Sequence, residues 1–162
     1  MTVEKKIAML ESNLGRILGF ISTADNKVTT VFALDTAMLG VLAALTPQAG
    51  CWSTFLIIFA VVAATALIVS IIMITLTSFP RTNGPVDSLI YFGSISKRDI
   101  NIYQKDILTM SLDEYISDLS KQCHINATIA DIKYKWIRRA TISLYLAVIP
   151  WFLYLYYTYQ LR

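Results

Sequence analysis

Residues 3–45 read VEKKIAMLESNLGRILGFISTADNKVTTVFALDTAMLGVLAAL. Apolar side chains recur at Val3, Ile7, Leu10, Leu14, Ile17, Ile21, Ala24, Val28 and Val31, alternately four and three residues apart, which is the a/d seam of packed helices. The next seam position is Asp35, followed by Met38, Leu42 and Leu45. No proline or multi-glycine break interrupts the run, so it predicts one continuous helix of about 43 residues. A single carboxylate therefore falls on the packing face of an otherwise apolar segment.

Composition decides what surrounds that helix. Hydrophobic residues make up 56% of the 162 and charged residues 15%, with a mean hydropathy of +0.56, outside the range of soluble domains. The chain reads as an integral membrane protein. Its net charge of +3 is too mild to argue for nucleic-acid binding. Three segments suit the roughly 20 helical residues that cross a bilayer: Val28 to Leu45, Phe55 to Phe79, and Ile142 to Tyr159. Trp52 and the run Trp151, Phe152, Tyr154, Tyr156, Tyr157 and Tyr159 mark interfacial belts.

Charge distribution orients the spans. Residues 1–27 carry four basic residues, Arg81 to Arg139 carry nine, and the loop 46–54 carries none. By the positive-inside tendency, the N-terminus and the long middle segment are cytoplasmic and the C-terminus, with Arg162, periplasmic. Cys51 and Cys123 then lie on opposite sides of the membrane, which argues against an intrachain disulfide. The amphipathic N-terminus does not resemble a cleavable signal peptide. The fold expected is an all-α integral membrane protein with three transmembrane helices, the first continuous with a long N-terminal helix, assembled as a homo-oligomeric bundle. Its divisions are a cytoplasmic heptad helix (1–27), a transmembrane hairpin (28–79), a cytoplasmic helical segment (80–139) and a third transmembrane helix (140–162).

Local signals fill in the connections. Thr46 to Gly50 form a turn, and Pro80 and Arg81 stop the second span. Asn83, Gly84 and Pro85 form another turn, and residues 96–108 suit a short helix. Ser111 and Glu114 form a capping box that opens a long helix running through the basic girdle Lys133, Lys135, Arg138 and Arg139 into the third span, where Pro150 is expected to kink it. Gly15 and Gly19 permit close helix approach or are merely tolerated.

Few residues point to chemistry. A charged side chain at membrane depth is costly and usually faces a bundle interior or a water-filled path. Asp35 lies about 10 Å past the interface near Val28. With Val28, Val31, Met38 and Leu42 it is a candidate pore or gate, and Ile7, Leu10, Leu14, Ile17 and Ile21 form the candidate oligomer seam. A ring of Asp35 side chains would attract cations; a structural contact to a neighbouring helix is the alternative. Asp25 and Lys27 read as interfacial polar residues. Lys97, Arg98, Lys105, Lys121 and His124 could line a site for an anionic ligand, although Asp99, Asp106, Asp113, Glu114 and Asp118 nearly balance them, as on a solvated face. The girdle is a topology signal and lipid anchor. No metal-ligand spacing accompanies Cys123 and His124, and no nucleophile elbow or phosphate loop is present, so neither catalytic residues, a metal nor a cofactor is expected.

Several short blocks, in order and suitably spaced, resemble the PycTM membrane domain of Pycsar-type and related bacterial antiphage effectors. They are Ala24, Asp25, Asn26 and Lys27; Leu89 to Ile95; Asp113, Glu114, Tyr115, Asp118, Leu119 and Gln122; and Asn126, Ala130, Lys133, Tyr134 and Ala140. The resemblance covers the chain from Leu14 to the third span. It implies a bacterial inner-membrane effector that permeabilises or depolarises the membrane on infection, at the expense of the cell. The 59 residues from Arg81 to Arg139 are too few for a fused cyclic-nucleotide-binding fold. The form resembled is therefore the standalone effector of two-gene systems such as Hailong, where a neighbouring nucleotidyltransferase or cyclase makes a nucleotide or oligonucleotide signal. The expected partners are membrane lipid, further copies of the chain in a tetramer or similar assembly, and that signal. A non-conducting anchor or adaptor for a soluble enzyme is the competing reading. A small transporter is a weaker third, since no inverted repeat is evident.

Overall fold

The computed structural model describes residues 1–48, 52–79, 84–85 and 87–160. The end of the predicted first turn, Cys51, the Pro80 and Arg81 stop, Asn83 and Arg162 lie outside the described residues. Five helices follow in order: α1 (Val3–Ala44), α2 (Thr54–Ser78), α3 (Phe92–Ile95), α4 (Ile100–Thr109) and α5 (Leu112–Gln160). Among the described residues there is no strand. Helices α1, α2 and α5 are each long and apolar enough to cross a membrane.

The chain divides into two compact units, Met1–Thr23 with Pro80–Ile132, and Ala24–Phe79 with Lys133–Arg162. The second is a bundle of the apolar parts of α1, α2 and α5. Each helix buries residues three, four or, where one seam position is skipped, seven apart: Ala24, Val28, Val31, Asp35 and Leu42 from α1; Leu56, Ala63, Leu67, Ser70, Ile74 and Thr77 from α2; Ile137, Ala140, Leu144, Ala147 and Tyr154 from α5. That spacing on all three helices is the pattern of knobs-into-holes packing. Ala24, Ala63, Ala140 and Ala147 have no exposed surface, and their small side chains let the backbones approach closely. Pro150 lies inside α5, whose helix continues past it to Gln160.

Polar side chains tie the bundle at defined heights. Ser143 Oγ donates to the Ala66 carbonyl at 2.8 Å. Trp151 Nε1 donates to the Met38 carbonyl at 3.0 Å, and the Tyr154 hydroxyl reaches the carbonyls of Leu42 and Leu45, both at 3.3 Å. Leu42 lies in the last turn of α1 and Leu45 just past it, where no further turn supplies an N–H.

The other unit is set by caps. Helix α4 starts at Ile100 rather than near Ser96, because the Asp99 carboxylate accepts from the Asn101 and Ile102 amides at 2.8 and 3.4 Å. The preceding block Leu89 to Ile95 holds the single turn α3. Tyr91 packs so closely on Gly84 and Gly93 that a Cβ at either would lie 2.2 or 2.5 Å from its ring.

The capping box is present at the start of α5. The Ser111 amide and hydroxyl both donate to Glu114 Oε2, at 2.7 and 2.8 Å, and the Glu114 amide donates to Ser111 Oγ at 3.2 Å. The backbone hydrogen bond from Ser111, then that from its hydroxyl, hold the Glu114 carboxyl below the usual glutamate range. A carboxylate with a lowered native pKa stabilises above its ordinary pKa and stops doing so as pH falls through the lowered one. Amide exchange at Ser111 to Tyr115 should therefore accelerate only once acid passes below the ordinary glutamate range, and Glu114→Gln should remove that transition. Identical acid profiles for native chain and variant would refute the assignment.

Candidate functional site

Two polar clusters are built, one in each unit. In the membrane bundle, Asp35 has no exposed surface. Its Oδ2 accepts from Ser70 Oγ of α2 at 2.7 Å, and the same hydroxyl lies 3.1 Å from the Ala140 carbonyl of α5. One proton thus serves two acceptors. Asp35 Oδ1 is buried without a hydrogen-bond partner among the described residues. The three helices meet at this oxygen cluster.

The residues read from sequence as pore or seam sit on the same side of α1. Val28, Val31 and Leu42 are buried with Asp35, Met38 is partly buried against them, and Ile7, Leu10, Leu14, Ile17 and Ile21 are partly buried along the first unit. In the bundle this face is covered by α2 and α5 of the same chain. The opposite face of α1 is exposed and carries Asn26, Thr30, Ala33, Ala37, Gly40 and Ala44. A Cβ added at Gly15, Gly19 or Gly40 would meet nothing within 4 Å. The exposed faces of α2 and α5 differ in kind: Phe55, Val61 and Ile72 on one, Tyr145, Ile149 and Phe152 on the other.

At the end of the bundle near Ala24, Asp25 pairs with Lys133 and the Lys27 ammonium lies 5.2 Å from the Tyr134 ring centroid. Four residues that read from sequence as interfacial or as short motif blocks are thus two cross-helix pairs. Half-exposure of Asp25 limits the ion pair to about 0.2–1 kcal/mol.

In the other unit, Asp118 is the hub that sequence reasoning missed. Its Oδ2 accepts from Ser88 Oγ and from the Leu89 amide, both at 2.9 Å. Ser88 Oγ in turn accepts from the Ile90 and Tyr91 amides and from Gln122 Nε2, at 3.1, 2.9 and 3.1 Å. Asn126 continues the ladder to Gln122. The signal available was the four-residue spacing of Asp118, Gln122 and Asn126 along a helix that otherwise buries apolar residues.

Asp118 also borders a cleft of about 400 Å³ with Arg98, Asp106, Glu114 and Lys121. Arg98 is held there by ion pairing with Asp106 and by the Asp87 carbonyl, to which it donates at 2.6 Å. Asp87 adopts φ 62°, which aspartate tolerates better than most residues. A second depression, about 780 Å³, is lined by Tyr91, Phe92, Lys97 and Arg98. Phe92 is 67% exposed, its ring 4.8 Å from that of Tyr91. Of the five predicted ligand residues, Lys97, Arg98 and Lys121 thus line concave surface, whereas Lys105 and His124 are exposed and line neither cleft. In the same unit Tyr115 donates to Glu11 at 2.8 Å, a bond that with burial pushes its phenol pKa up. Burial also pushes up the Cys123 thiol, which donates to the Leu10 carbonyl. No group of three or more His, Cys, Asp or Glu among the described residues is placed to hold a metal ion.

Three long apolar helices, joined to a helical unit rich in internal hydrogen bonds, define a small multi-span membrane protein. The chain belongs to the PycTM family: the family model, the Pycsar effector protein domain, matches residues 9–159. It is therefore a membrane effector of the Pycsar type. No curated protein and no solved structure matches it.

Proposed function

We propose that this protein is an antiphage effector of the bacterial inner membrane. It acts as a homo-oligomeric channel that depolarises the cell when a nucleotide or oligonucleotide signal, made by a neighbouring cyclase or nucleotidyltransferase, changes its state. The observation that carries the reading is the outward face of α1. Ala33, Ala37, Gly40 and Ala44 offer lipid little surface but suit close approach by another helix. Thr29, Thr30 and Thr36 are exposed beside them, and each hydroxyl donates to the carbonyl four residues back, at 3.2, 3.1 and 2.8 Å. Their outward lone pairs suit a cation path between copies. Asp35, tied to Ser70, is then a gate element within each protomer, and Val28, Val31, Met38 and Leu42 transmit its position through packing.

The Tyr91, Phe92, Lys97 and Arg98 surface suits the signal, since exposed rings stack on bases and cations meet phosphate. Terminal orientation follows the charge bias, N-terminus inside. Planar-bilayer recordings of the purified chain, with and without cyclic nucleotides or oligonucleotides, test the channel. Gly40→Leu should preserve the protomer, because no side chain lies near Gly40, while reducing current and crosslinked oligomer at least about tenfold by preventing close approach. Silence of the native chain under every condition rejects conduction; native current from Gly40→Leu rejects this face as its lining.

A further inference from the structure

On α5 a second exposed stripe has a chemistry that changes along its length. Lys135, Arg139, Ile142, Leu146 and Ile149 recur three and four residues apart, with Arg138 three after Lys135 and four before Ile142; all six are exposed and share one helix face. The first three are basic and the last three aliphatic, Leu146 and Ile149 being 68% and 70% exposed. From Asp131 to the end of the sequence there is no further acidic residue. Lys133, next to this face, is neutralised by Asp25, but Arg138 has no hydrogen bond or ion pair among the described residues. Arg139 lies over Trp136, its guanidinium carbon 5.1 Å from the ring centroid, which holds the charge at the level where tryptophan favours the membrane interface.

We infer that this stripe is a binding site for an anionic glycerophospholipid, its phosphate on Arg138 and Arg139 and one acyl chain along Ile142, Leu146 and Ile149. The dimensions agree. Ten or eleven helical residues from the arginines to Ile149 rise about 16 Å, close to half of a hydrocarbon core of about 30 Å, so the aliphatic stretch matches one leaflet. Charge complementarity selects the headgroup: a zwitterionic lipid would bring a trimethylammonium or ammonium group against uncompensated guanidinium. Arginine favours phosphate by planar, paired N–H donation. The inference needs only that α5 crosses a membrane, and stands whether or not the protein conducts.

Native mass spectrometry of the full-length chain in detergent, titrated with phosphatidylglycerol or with phosphatidylcholine of the same acyl chains, reads the site directly. The native chain should retain phosphatidylglycerol preferentially. Juxtamembrane basic residues contribute about fivefold each, so Arg138→Gln with Arg139→Gln should lower phosphatidylglycerol affinity about thirtyfold and leave phosphatidylcholine unchanged. A charge-matched control, Lys6→Gln with Lys105→Gln, should keep the native preference. Inorganic phosphate in large excess should not displace the lipid; if it does, the site recognises phosphate alone and the lipid assignment fails. Equal retention of both lipids by the native chain, or an unchanged preference in the double variant, overturns the proposal. If the double variant cannot be purified folded, Arg138→Gln removes no hydrogen bond or ion pair among the described residues and should show about a fivefold loss.

Discussion

Asp118→Ala should destabilise its unit by about 2–5 kcal/mol. The variant strips the buried Ser88 hydroxyl and the partly buried Leu89 amide of their shared acceptor, and each unmade buried bond costs about 1–3 kcal/mol. The loss spreads, because Ser88 Oγ is itself the acceptor for Ile90, Tyr91 and Gln122. Asp118→Asn keeps one acceptor oxygen and should cost about 1–2 kcal/mol. Hydrogen exchange is the suitable readout: amides of Leu89, Ile90 and Tyr91 should lose protection in Asp118→Ala before those of the membrane bundle do. If all three amides keep native protection in the alanine variant, the hub is not what holds that loop.

Asp35→Leu should have the opposite effect on stability and a severe one on activity. On insertion scales aspartate at a helix centre is disfavoured by about 2.5–3.5 kcal/mol and leucine favoured by about 0.3–0.6, a difference of about 3. The larger side chain costs about 1–2 kcal/mol through crowding against Ser70 and its neighbours, so a net gain of about 1–2 remains. Ser70 keeps the Ala140 carbonyl as an acceptor, so no buried hydroxyl is orphaned. Under the proposed gating role, the Asp35 carboxylate serves activity at the expense of stability. The variant should resist unfolding in detergent better than the native chain and be non-toxic on expression, with Asp35→Asn intermediate in both. Full toxicity of Asp35→Leu would make Asp35 a structural contact only.

The helices were legible because their signals are local and periodic. The a/d count from Val3 to Leu45 and the Ser111 capping box depend on residues a few positions apart, and both appear as α1 and the start of α5. What covers the seam was not legible. Heptads spaced three and four look the same whether the partner helix comes from another copy or from residue 137 of the same chain, and Asp35 meets Ser70 and Ala140 across gaps no periodicity encodes. The pairing of Asp25 with Lys133 was hidden for the same reason, 108 residues apart. Helix α4 was displaced in the sequence reading because serine and aspartate both cap well, and Ser96 and Asp99 are only one turn apart. Asp118 was read as a counter-charge since a carboxylate among lysines looks solvated until its burial is known.

The hydrogen bonds from Trp151 and Tyr154 all fall on the Met38 to Leu45 end of α1, beyond Asp35. Toward Ala24 the same helix is held by small and aliphatic side chains, one partly exposed ion pair and the Lys27 ammonium over Tyr134. Apolar contacts slide at little cost in direction, whereas aimed hydrogen bonds do not. Within the bundle α1 is therefore anchored as a lever is, with its pivot near Leu45, and any tilt grows along its length. A spin label at Thr29 should therefore show a broader distance distribution than one at Val41.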